Sequence, residues 1–359
     1  MEKANKKQNK EQQKNQLNLC KYSLDLKEEL GLNIPKEEIY IIPVFIPHRG
    51  CKNECVFCNQ RRISGELRQV TESDVDNIIK EYLEYYENKD YSKIQVAFFG
   101  GSFTGLDIKE QEMFLNVANK YIQNKKLGSI RVSTRPDYIN QEILDLLKEK
   151  HVEVIELGVQ SMTEDVLLKA KRGHSKQDVI NASKLIKENG IKLGHQLMVG
   201  LPASTREKEL ESIKESISLN PDMMRIYPVY TLKESELYSM YERKEYIPLS
   251  IVESVDRTTE IYKECVKAKL NVIRIGLQTT EEINTDNKEI VGPVLDNYRE
   301  RVLSKIARDY IKNNIQIEEN SILEIVVPQE QINYIVGANK ENIKYFKDKY
   351  NCNVKVIQE

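Results

Sequence analysis

Cys51, Cys55 and Cys58 form a CxxxCxxC array within CKNECVFCNQ, directly after the apolar run IYIIPVFIP, so three of the chain's six cysteines fall within eight residues. Soft thiolate sulfur selects zinc and iron–sulfur clusters. A structural zinc site usually closes with a fourth Cys or His, and no CxxC partner follows at zinc-finger distance. Three thiolates on a four-iron cluster would leave one iron open for a ligand. On spacing alone, a zinc knuckle or three buried structural cysteines remain the competing explanations.

Such a loop needs elements to hold it. From residue 40 onward, short β-rich runs alternate with amphipathic helical runs, the mark of repeated βα units and a parallel sheet. Strands are predicted at 40–46, 94–99, 130–134, 153–159, 192–199 and 223–229, enough for a partial (β/α)6 barrel, and NVIRIGLQ at 271–278 could flank the sheet. Helix starts are legible at Thr71 with Asp74, Ser204 with Glu207, and Ser250 with Glu253.

In a βα barrel the functional residues gather at the C-terminal strand ends. The cysteine loop leaves the first strand at that end. After the second comes FFGGSFTGL, where Gly100 and Gly101 allow close backbone approach and Ser102 follows. Ser133 and Arg135 sit in STRPD after the third strand. Gln160 ends the fourth, and Arg172 in KRGH offers a planar fork for a carboxylate. His195 on the fifth strand reads as a hydrogen-bonded barrel residue or a substrate contact, while His174 and His48 stand near the loops.

The CxxxCxxC spacing, with aromatic Phe57 before the last cysteine, resembles the cluster motif of the radical S-adenosylmethionine (radical SAM) superfamily. The resemblance implies that Cys51, Cys55 and Cys58 hold a 4Fe-4S cluster whose open iron binds S-adenosylmethionine, with Phe57 against the adenine. It also implies reductive cleavage to a 5′-deoxyadenosyl radical, fed by an external electron donor of the flavodoxin or ferredoxin type. The segment at Gly100, Gly101 and Ser102 matches the one that binds the methionine amino group, although its common form ends in Glu. Ser133, Arg135, Gln160 and Arg172 are the further cofactor-binding candidates. The order FFGGSFTGL, STRPD, ELGVQSMTEDVL with KRGH, HQLMVGLP, DMMRIYPVYTLKESELYSMYERKEYIPL and RIGLQTTEE is similar to the radical SAM domain of the Elongator catalytic-subunit family, which modifies transfer RNA. The compact cysteine spacing departs from that family, and no acetyltransferase domain is expected after residue 300. In the block after the sixth strand, Tyr227, Tyr230 and Lys233 would face the substrate.

The last forty residues read strand–helix–GANK–helix–strand, which resembles a KH-like RNA-binding module whose GxxG loop clamps the nucleic-acid backbone. Gly337 is present, but Lys340 replaces the second glycine. The expected organisation is a disordered basic tail over 1–20, a partial barrel over 21–300, and a C-terminal helix with a small KH-like α+β module over 301–359. Formal net charge is −2, which argues for no global basic field, and 40% hydrophobic with 31% charged residues reads as soluble. No signal-peptide core or 18-residue apolar run is present, so a cytoplasmic protein without membrane association is expected. Cys20, Cys265 and Cys352 stand singly and read as packing residues. RNA is the expected partner of a radical enzyme built this way. A small-molecule substrate, as in the similar oxygen-independent coproporphyrinogen oxidases, and a non-catalytic RNA-binding protein with a structural metal are the alternatives.

Overall fold

Seven of the predicted β-rich runs become one parallel sheet. The computed structural model describes residues 18–31, 39–46, 51, 55–58, 70–277 and 283–359. It divides into two units, one of Asn33–Asp296 and one of Met1–Leu32 with Asn297–Glu359. Strand β1 (Asn18–Ser23) belongs to the second of these. The first unit carries β2 (Tyr40–Ile46), β3 (Ile94–Gly100), β4 (Ser129–Thr134), β5 (Val152–Gln160), β6 (Lys192–Val199) and β7 (Met223–Pro228). A short β8 (Thr231–Leu232) follows, then β9 (Asn271–Ile275) and β10 (Ile290–Val291). The sheet order is β2-β3-β4-β5-β6-β7-β9, so the run at 271–278 supplies a seventh strand beside β7. β8 and β10 pair antiparallel apart from it.

Side chains of the sheet alternate between two faces. Ile42, Val44, Val96, Phe98, Ile130, Val132, Ile155 and Leu157 point to the helix side and are buried with Phe114, Leu115, Leu144 and Leu147. The last four come from the helices Ile108–Gln123 and Gln141–Glu149. Each such residue contributes about 1.5–3 kcal/mol by leaving water. The opposite face, charged over β4, β5 and β7 and aromatic at Phe45 and Phe99, curls on itself, because contacts cross between strands that are not neighbours. Arg131 on β4 reaches Met223 Sδ on β7 at 3.4 Å, Arg225 on β7 pairs with Glu156 on β5, and the Arg225 guanidinium lies 5.4 Å from the Phe99 ring centre on β3. The result is a curled α/β half-barrel, with a small C-terminal domain.

Local start signals hold the helices in register. Thr71 and Asp74 form a reciprocal capping box before Glu72–Tyr85, and Ser175 with Asp178 does the same before Lys176–Glu188. Ser250 accepts from Glu253 N as expected. Ser204 does not cap its helix: Thr205 caps Arg206–Ser218, and the Ser204 hydroxyl donates to Glu209 at 2.5 Å.

In the second unit, β11 (Ser321–Val327) is central, with β1 and β12 (Asn353–Gln358) parallel on either side. The helices Ile332–Val336 and Glu341–Tyr350 lie between β11 and β12 in sequence, and Tyr298–Asn314 precedes them. Leu24 and Leu26 are buried, and Leu26 N donates to Gln331 Oε1 at 2.7 Å. Residues 18–31, divided in the sequence reading between a mobile tail and the barrel, are therefore a strand and a short helix of this C-terminal unit. The apolar run NLCKYSLDL was too short to announce a partner three hundred residues away.

Candidate active site at the barrel mouth

The cysteine loop is held from both sides of Val56. Val56 N donates to Ala170 O at 3.2 Å, and Leu237 N donates to Val56 O at 2.7 Å. Val56 itself is buried among Val166, Ala170, Leu201, Val229, Leu237 and Tyr246, with Phe57 packed against that group. A turn closed by Cys58 N to Cys55 O at 3.0 Å spaces the last two cysteines. Thus the segment bearing the thiols is anchored to loops after β5, β6 and β7.

The strand-end residues meet it there. Cys51 Sγ lies 3.1 Å from Ser102 Oγ, and Cys55 Sγ accepts from Arg172 Nη1 at 3.1 Å, with Arg135 Nη1 at 4.0 Å. Arg172 also donates to Gly158 O at 2.7 Å and lies 5.9 Å from the Phe57 ring centre. Among the described residues its buried Nε has no partner. Arg135 is fixed by a two-point contact with Asp137 at 2.9 and 3.0 Å, and burial, then the Asp137 carboxylate, act on it in opposite senses, the latter prevailing to raise its pKa. Gln160 has φ +65° at a β5 bulge, where the register with β6 shifts, and its Oε1 accepts from Gln196 at 3.2 Å. A bulge of this kind re-aims a side chain near a site.

Gly101, Ser102 and Ser133 line a narrow cleft with Ile46, Phe98, Phe99, Phe103 and Leu106. Gly100 is needed for a different reason than ligand approach. Its φ is +104°, and a Cβ there would stand 2.9 Å from Ile46 O, so it lets β3 close against the end of β2. Gly101 N donates to the same carbonyl at 2.8 Å.

Several other residues are accounted for structurally. His195 is fully enclosed on the helix side, with Nε2 2.9 Å from Ser183 Oγ and Nδ1 2.7 Å from Ser216 Oγ, and burial pushes its pKa down to about 3. His174 lies beside Val159 O at 3.3 Å, and burial, with Arg172 and Arg135 nearby, likewise lowers it to about 3. Tyr230 is buried with Leu232 and Ile283 instead of facing substrate, and burial raises its hydroxyl pKa to about 12. Lys233 pairs with Glu289 at 3.4 Å. Tyr227 does reach the inner face, accepting from Arg225 at 3.0 Å. His48 lies outside the described residues. Sequence reasoning missed Glu156, Arg131 and Arg225, whose only signal was charge inside strand runs.

The donor set fits an iron–sulfur cluster. In a four-iron cluster each thiolate takes its own iron. The guanidinium donor at Cys55 Sγ is of the type that tunes such a cluster.

Comparison with known proteins agrees with this geometry. The "Radical SAM superfamily" model matches residues 45–215, the "Radical_SAM C-terminal domain" residues 221–309, and the "KH domain" residues 322–359. A tRNA uridine(34) acetyltransferase of Methanocaldococcus jannaschii is 31% identical over 185 residues, covering 46% of this chain and 34% of that protein. An uncharacterized protein of the same organism is 31% identical over 222 residues, 59% of this chain and 67% of the other. Human Elongator complex protein 3 is 28% identical over 188 residues, 46% and 34%. The chain thus matches about a third of the length of the acetyltransferase and Elongator relatives. The solved structure of Methanocaldococcus infernus Elp3 superposes with a TM-score of 0.59 at 22% identity, covering 78% of this chain and 68% of that one, which supports the fold. With the superfamily matched over residues 45–215, its C-terminal domain over 221–309 and the cysteine loop at the barrel mouth, the chain belongs to the radical SAM superfamily: it is an enzyme whose cofactors are a 4Fe-4S cluster and S-adenosylmethionine.

Proposed function

We propose that this radical SAM enzyme modifies RNA, with transfer RNA the favoured substrate. The observation that carries the proposal is one chain in which a KH domain match follows a radical SAM domain similar to tRNA uridine(34) acetyltransferases. KH modules clamp single-stranded backbone through their loop between two helices. In this reading the C-terminal unit docks the RNA, and the barrel works on one nucleotide.

Cys51, Cys55 and Cys58 are the cluster ligands in this proposal. The cofactors supply a 5′-deoxyadenosyl radical by reductive cleavage, and the protein positions them. Arg172, whose Nε has no partner among the described residues, takes the carboxylate of S-adenosylmethionine, and the bidentate fork suits that group. Gly101 and Ser102 receive the amino group along the cleft, Ser133 and Arg135 the ribose side, and Phe57 and Gln160 border the adenine. Gly100 allows this loop to sit against β2. The enzyme works in the cytoplasm and draws its electron from a flavodoxin- or ferredoxin-type protein. Among the described residues no helix is long and apolar enough to cross a membrane.

Anaerobic reconstitution followed by incubation with cellular RNA tests the proposal. Wild-type protein is expected to produce a modified nucleoside by mass spectrometry, and Cys55→Ala to produce none. If RNA from a deletion strain lacks no modification, the substrate assignment fails while the radical chemistry stands.

A further inference from the structure

Among the described residues, the inner face of the half-barrel carries more positive charge than its carboxylates neutralise. Arg131, Glu156, Arg225 and Arg274 come from β4, β5, β7 and β9. Glu156 uses one oxygen on Arg131 at 2.7 Å and both on Arg225. Burial works against its charge, and Arg225 and Arg131 override it, holding the carboxyl below the usual range. Arg131 is further sealed by Gln95 Oε1 at 3.0 Å. Arg274 is left over. It is the register partner of Arg225 on the neighbouring strand, and among the described residues it has no carboxylate partner. Its Nε donates to Gly276 O at 3.3 Å, two residues toward the mouth. Burial, together with Arg225 against the opposing influence of Tyr227, lowers its proton affinity.

Like charges directly opposite on a sheet cost stability, and an uncompensated half-buried cation costs more. A scaffold gains nothing from this arrangement. Aromatic surface lies on the same inner face: Phe99 under Arg225, and its register partner Phe45 with ring centres 6.1 Å apart. Phe45 is 42% exposed, so its ring is open to a ligand. Arginine forks match phosphate, and aromatic faces stack bases.

We propose that Arg274, beside the already paired Arg225, forms an anion subsite that takes one phosphate of a single-stranded ribonucleotide segment, with the base against Phe45 and Phe99. The assignment rests on the RNA reading above and adds to it where the substrate nucleotide sits. Arg172 and Arg135, beside Cys55, are not part of it.

The test uses the full, reconstituted protein and a mixed-sequence single-stranded ribo-oligonucleotide, with affinity followed by fluorescence anisotropy against salt. Arg274→Gln is expected to weaken binding and to flatten the log–log salt slope by about 0.7, the value of one phosphate contact on a single strand. The same decrement is expected in an Asn339→Asp, Lys340→Asp background, where like charge keeps the nucleic-acid backbone off the KH-like loop. S-adenosylmethionine affinity should be unchanged, and the melting temperature equal or higher. Phe45→Leu should weaken binding without changing the slope. Wild-type-like binding and slope in Arg274→Gln, an earlier melt, or lost S-adenosylmethionine affinity in place of RNA affinity would each overturn the subsite. Failure of the wild-type protein to bind RNA at all would overturn the RNA reading and the subsite together, so the two failures are distinct.

Discussion

Arg172 ties the mouth together, touching Cys55 Sγ, Gly158 O and the face of Phe57. Arg172→Gln keeps a donor but removes the charge and the fork. Its expected effect is an S-adenosylmethionine Kd about tenfold or more higher, measured by equilibrium binding, with a more negative cluster midpoint in a redox titration followed by electron paramagnetic resonance. Cysteine content alone pointed to these ligands, whereas the arginine was one polar loop residue among several. The two buried histidines carry a different consequence. Burial holds both near 3 in the folded protein, against about 6.5 for an ordinary imidazole. The unfolded chain therefore binds more protons between those values, and stability present above pH 6.5 is lost as pH falls. Each contributes a slope of up to about 1.4 kcal/mol per pH unit in that window. His195→Gln should reduce the pH dependence of denaturant midpoints between pH 6.5 and 4 by one proton's share.

At the scale of elements, two backbone positions separate what glycine permits from what other residues endure. Gly100→Ala would place a Cβ 2.9 Å from Ile46 O at φ +104°. The expected cost is at least about 1–3 kcal/mol, read from urea unfolding, with the cleft at Gly101 and Ser102 displaced. In the KH-like loop, Asn339 and Lys340 both have positive φ, +51° and +60°. Lys340 thus adopts the backbone that a second glycine would, so the departure from GxxG changes chemistry more than shape. Lys340→Gly should stabilise the C-terminal unit by about 1 kcal/mol by relieving the left-handed strain, measured by chemical denaturation. Strand and helix placement was legible in the sequence because alternation and capping pairs are local. The bulge that turns Gln160 was not, since it depends on how β5 meets β6.

For the whole molecule, the chain's two ends form one unit. β1 pairs along its full length with β11, and Lys21 meets Glu324 at 3.2 Å. Deleting residues 1–26 should strip one edge of the three-stranded sheet and the buried Leu24 and Leu26. A loss of about 3 kcal/mol or more is expected from those two side chains alone, seen as a lower unfolding midpoint for the C-terminal unit while barrel strands keep their hydrogen-exchange protection. Unchanged protection in β11 would contradict the pairing.

The sequence by itself determined the class of chemistry, the order of the βα units and the KH-like ending. These are written in spacing and periodicity, which each segment carries without its neighbours. Only the tertiary structure decided that Arg172 serves Cys55, that His195 is a core residue tied to two serines, and that Arg274 has no carboxylate partner among the described residues while Glu156 satisfies Arg131 and Arg225. Such pairings depend on strands that are distant in sequence being curled face to face. Charge inside a strand does not say which partner it will meet until the sheet closes around it.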